Sequence, residues 1–101
     1  MGKDEEVLVR GFKGEPLIVR SADTLGGKPR IAGTRLSTEW AYSLATQDEW
    51  SVDRILVEYP HLVEHAGSPA RAAYLLGIAA GYEIFRRRRS SSGPGGAAAD
   101  G

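Results

Sequence analysis

The sequence predicts a mainly α domain that opens with a short β segment and closes with a disordered tail. Three observations carry this. The apolar residues of the first third fall in short β-rich runs, residues 7–9 and 17–19 and a patch at Ile31, separated by Gly11, Gly14, Pro16, Gly26, Gly27, Pro29 and Gly33. That punctuation belongs to a hairpin or small sheet. From Ser37 onward the apolar spacing turns helical. Residues 90–101, SSSGPGGAAADG, are small and polar, and such a segment cannot offset the ordering entropy of its own backbone.

With 101 residues, 42% of them hydrophobic and 26% charged, the chain has material for one core. It divides into an N-terminal extension over residues 1–16, a folded domain over 17–87 and a tail over 88–101. The start, MGKDEEVLVR, has no apolar signal-peptide core, and no run approaches the roughly 18 apolar residues of a membrane span. A cytoplasmic protein with no membrane partner is expected. The absence of Cys removes disulfides, thiolate metal sites and a Cys nucleophile together. Thirteen Lys plus Arg balance thirteen Asp plus Glu, so any electrostatic binding must be local rather than a property of the whole molecule.

The first helix is expected over about residues 37–47, with Trp40 and Leu44 one turn apart and Leu36 just outside as a staple. Ser51 is a good N-cap for a second helix whose Val52, Ile55, Leu56 and Tyr59 form one stripe, and Pro60 ends it. Ser68 followed by Pro69 starts the third, because proline at the first helical position forfeits only an N–H without an intrahelical partner. That helix should run to about Arg87. It is apolar on two sides: Leu75, Ile78, Tyr82 and Phe85 make one stripe, and Ala73, Leu76, Ala80 and Ile84 another. One small core cannot cover both, so Leu75, Leu76, Ala80 and Ile84 are candidates for self-association as a homodimer; alternatively, the amino-terminal sheet packs on that side. Trp40 and Tyr59 are assigned to the core.

Two blocks stand out: Gly26-Gly27-Lys28-Pro29-Arg30-Ile31-Ala32-Gly33-Thr34-Arg35-Leu36, and Trp50-Ser51-Val52-Asp53-Arg54-Ile55-Leu56-Val57-Glu58-Tyr59-Pro60-His61-Leu62. In this order, and followed by the alanine-rich stretch from Ala70, they resemble the domain-of-unknown-function 433 family across about residues 17–83. The resemblance implies a helix-turn-helix-like three-helix core behind the β segment, and the antitoxin role of a toxin–antitoxin pair. The implied partner is a PIN-like ribonuclease toxin; operator DNA is a second implied partner, through repression of the antitoxin's own operon. The segments 46–50 and 63–69 are longer than the family pattern, and residues 7–16 and the Arg block lie outside it.

The candidate partner- or phosphate-binding residues are Lys28, Arg30, Thr34 and Arg35 in the β segment, and Arg86, Arg87, Arg88 and Arg89 at the end of the last helix. Gly26-Gly27-Lys28 lacks a phosphate-loop ending and runs into Pro29, which has no N–H to donate, so it reads as a tight turn. Arg35 has two readings: a tie to Glu39 or Glu58, or a fork onto a toxin carboxylate or a phosphate. The Arg block either supplies phosphate contacts or suits the carbonyl end of a helix. His61 and His65 have metal spacing only if both sit on one helix, and after Pro60 they read as surface histidines. Asp53 and Glu58 read as the solvated face of the second helix. No nucleophile–base arrangement can be built, so the chain reads as non-catalytic, with no cofactor and no metal. Helix two offers only Arg54 and helix three only Arg71 before the block, too few for base reading in a major groove. Antitoxin is therefore the first expectation, with a DNA-binding regulator lacking a toxin, or a dimerisation scaffold, as alternatives.

Overall fold

The computed structural model describes residues 5–91, with the side chains of residues 5–89. Strands β1 (Glu6–Arg10), β2 (Pro16–Arg20) and β3 (Arg30–Ile31) form an antiparallel sheet in the order β1-β2-β3. Val7 pairs with Val19, and Ile18 with both Val9 and Ile31. β2 is the central strand, and its Leu17, Ile18 and Val19 are all buried, as an unbroken apolar run requires. β1 lies inside the residues set apart as an extension, yet it supplies a strand, and Leu8 and Val9 pack on the core.

Four helical segments follow. α1 (Thr38–Tyr42) continues without a break into a π-type turn, Ser43–Gln47, so the expected first helix is present over its expected length. Ser37 caps it by accepting the Trp40 N–H at 3.0 Å. α2 (Val52–Glu58) is capped by Ser51, which accepts the Arg54 N–H at 3.1 Å. Tyr59, at φ −125° and ψ 67°, breaks the helix ahead of Pro60. Here the three-helix expectation needs correction. Pro60 opens a further helix, α3 (Pro60–Ala66), with the proline in its first turn and Leu62 fully buried beneath it. Proline stops one helix and pre-organises the next by the same fixed φ. Gly67, at φ 95°, closes α3.

α4 (Pro69–Ser91) begins where Ser68 accepts the Arg71 N–H at 3.1 Å. It extends past Arg87, so Arg88 and Arg89 are helical rather than part of a tail; residues 92–101 lie outside the described residues. The core gathers Ile18 and Ile31 from the sheet, Ala41 and Leu44 from the first helical segment, Ile55, Leu62, and the inner row of α4. That row is Ala72, Leu75, Leu76, Ala79 and Glu83, a single stripe at helical spacing. The expected pair of stripes is therefore corrected: Leu75 and Leu76 come from different stripes, but both are buried, at 6% and 5% exposure. They hold the monomer together and are not available for self-association. Trp40 and Tyr59 pack edge to face, with centroids 4.9 Å apart, against this core. No helix among the described residues is long and apolar enough to cross a membrane.

Candidate functional site

The turn that follows β3 is built by short-range hydrogen bonds. The Thr34 hydroxyl donates to the Ile31 carbonyl at 2.8 Å and accepts the Leu36 N–H at 3.0 Å. Gly33 sits at φ 79°, and a Cβ there would lie 2.6 Å from Cε1 of His65. Only glycine meets both conditions without strain. Thr34 is thus a structural residue, and the turn it fixes displays Arg35 on the surface.

Opposite this turn stands the α2–α3 corner, and between them lies a cleft of about 700 Å³. Arg35 and Leu36 line one side, and Glu58, Tyr59, His61 and His65 the other, with buried Leu62 and Arg30 also reached. α3 places His61 and His65 one turn apart on a single helix. Among the described residues they belong to no group of three or more His, Cys, Asp or Glu suited to a metal ion.

Most of the expected binding cations are engaged within the chain. Lys28 donates to Glu39 at 2.8 Å. Arg30 is almost wholly buried and reaches Ser21 at 3.0 Å and Glu5 at 3.2 Å, so it is not presented to a partner. Arg86 and Arg87 converge on Glu83, whose side chain is fully buried. Glu83 accepts from Arg87 Nε at 2.8 Å, from Arg86 Nη2 at 3.1 Å and from the Thr38 hydroxyl at 2.9 Å. Burial pushes its carboxyl up, but the hydrogen bonds from Arg86, Arg87 and Thr38 together outweigh burial and hold it below the usual carboxylate value. The Lys28 hydrogen bond likewise lowers Glu39. Arg87 further stacks on Tyr42, 4.3 Å from its centroid, and Arg89 lies 5.5 Å from the Phe85 centroid.

Arg35 pairs with neither Glu39 nor Glu58; among the described residues it makes no ion pair or hydrogen bond. Glu83 and Thr38 were not singled out from the sequence, although a carboxylate interrupting an apolar row with arginines three and four residues on was a readable signal.

A second surface lies on the outside of α4. Tyr74, Gly77, Gly81, Ile84 and Phe85 are exposed there, with Ile84 at 41% and Phe85 at 52%. A Cβ added at Gly77 or Gly81 would meet nothing, so the fold itself does not require glycine at either position.

Residues 18–66, from the central strand to the end of α3, match the family model described as a protein of unknown function, DUF433. Over that segment the chain belongs to the DUF433 family. The match takes in both sides of the cleft and stops short of α4. No curated protein and no solved structure matches the chain.

Proposed function

We propose that this DUF433 protein is a non-catalytic antitoxin that binds and inhibits a PIN-like ribonuclease, using the outer face of α4 as its main contact. One observation carries the reading. The outer row of α4 exposes Tyr74, Ile84 and Phe85 beside two glycines, while most cations a nucleic-acid reader would use are held by the chain's own carboxylates. Exposed aromatic and aliphatic side chains supply most of the energy of a protein interface. Two glycines inside an exposed helix cost about 1 kcal/mol each in helix propensity, and they let another backbone come close. Ala80 and Ile84 remain self-association candidates on this face, now without Leu75 and Leu76.

Repression of the operon, as an additional role, would rest on Arg35, Arg88 and Arg89, which are exposed. Such binding would position the protein on phosphates more than read bases, and would weaken steeply with salt. The helix-turn-helix reading belongs with this second role.

Co-expression with the neighbouring gene product, which the proposal expects to be a PIN-like ribonuclease, tests the proposal. The two proteins should co-purify, and the ribonuclease should lose RNA cleavage in the complex. A neighbour that neither co-purifies nor loses activity, while this chain alone holds one operator at physiological salt, would replace the antitoxin reading with the repressor reading.

A further inference from the structure

From the cleft between the Gly33 turn and the α2–α3 corner, we infer a binding site for a small organic anion, a phosphate or carboxylate group carried on a flat apolar body. The inference stands apart from the antitoxin reading, which concerns α4.

Four features converge. The cleft, at about 700 Å³, lies within the size range of small-molecule sites, roughly 300–1,000 Å³. Its cation is unengaged: Arg20, Lys28, Arg30 and Arg71 all pair with carboxylates, whereas Arg35 lines the cleft without a partner among the described residues. A guanidinium forks onto a carboxylate or phosphate in two parallel hydrogen bonds. The display is also fixed. Thr34 ties the turn at both its hydroxyl contacts, and Gly33 at φ 79° brings its backbone against the His65 ring, so little ordering is left for a ligand to impose. Finally, the walls are mixed in the way such sites are: Leu36 and the Tyr59 ring offer an apolar surface over buried Leu62, and the imidazoles of His61 and His65 offer further N–H donors.

Glu58 also lines the cleft. Among the described residues lining it, Glu58 is the one carboxylate, and it sets the orientation by repelling the anionic end toward Arg35. Removing its charge should therefore tighten binding.

NMR titration of the full chain with phenyl phosphate, benzoate, inorganic phosphate and phenol tests the site. Phenyl phosphate or benzoate should shift the His61 and His65 ring signals and the amides of residues 33–36 to saturation at millimolar concentration or below, and the stronger of the two identifies the preferred anion. Inorganic phosphate and phenol, each offering half of the contacts, should bind more weakly. Arg35→Ala should weaken binding about fivefold, the scale of one solvent-exposed ion pair, with no change in melting temperature. Glu58→Gln should strengthen it, and Arg20→Ala, which removes a cation elsewhere, should leave it unchanged. The inference is overturned if neither phenyl phosphate nor benzoate saturates these signals, if Arg35→Ala binds as tightly as the parent, or if inorganic phosphate matches phenyl phosphate.

Discussion

Replacing Glu83 by Ala removes the acceptor for the Thr38 hydroxyl and for both Arg86 and Arg87. A hydrogen bond to a charged group contributes about 1.5–3 kcal/mol, and an orphaned buried hydroxyl costs about 1–3 kcal/mol. These values do not simply add, because the Arg86 and Arg87 side chains are 46% and 43% exposed and recover water when the carboxylate goes. A net loss of about 2–3 kcal/mol follows, or roughly 10–20 °C in Tm for a domain of this size. Glu83→Gln keeps the shape and the Thr38 contact, and should lose about half as much. The folded-state pKa of Glu83 is depressed, so its contribution is complete above the ordinary carboxylate value, about 4.3, and fades as pH falls below that toward the folded value. The Tm gap between parent and Glu83→Gln should be widest near neutrality and close in acid. Thermal melts by circular dichroism from pH 7 to pH 3 measure both. A Glu83→Ala protein melting within about 3 °C of the parent, or a gap that is constant with pH, would refute the view that this buried carboxylate ties α1 to α4.

Other substitutions separate packing from display. Gly33→Ala should cost about 1–2 kcal/mol, because a side chain disfavours the left-handed backbone and its Cβ displaces the His65 ring; urea denaturation reads the loss. Ser68→Ala should cost about 1 kcal/mol through the lost cap on α4, measured in the same way. Leu76→Glu should abolish cooperative melting, because it forces a carboxylate into the core, whereas Phe85→Glu should shift stability by less than about 0.5 kcal/mol. Gly77→Ala should raise stability by about 0.4–1 kcal/mol, since its Cβ meets open space in a helix.

Local signals in the sequence carried much of this structure. Ser51 and Ser68-Pro69 announced α2 and α4 because capping is a contact between residues three apart, and the run at residues 17–19 announced a strand because no helix stripe explains it. Pro60 was half legible: its effect on the preceding residue is local, but whether a helix restarts depends on Leu62 finding a core to enter. The choice of face on α4 was not legible. Periodicity alone offers several rows, and the row that wins carries Glu83, which pattern reading discards as polar. Its partner Thr38 lies 45 residues away, and Arg30 finds Glu5 across 25, so these two contacts appear only once the sheet and helices are assembled. The cleft was hidden for the same reason: Arg35 and His61 could each be named, but the space between them is made by tertiary packing.

We propose that the outer face of α4, rather than the basic residues, is the principal contact surface. This is tested most directly with Ile84→Glu combined with Phe85→Glu, against Arg88→Ala combined with Arg89→Ala, each co-expressed with the neighbouring gene product that the proposal expects to be a PIN-like ribonuclease. The first pair should fold with a parent-like melt yet fail to retain the ribonuclease or suppress its RNA cleavage, while the second pair should still do both. Full retention and inhibition by the Ile84→Glu, Phe85→Glu protein would contradict it.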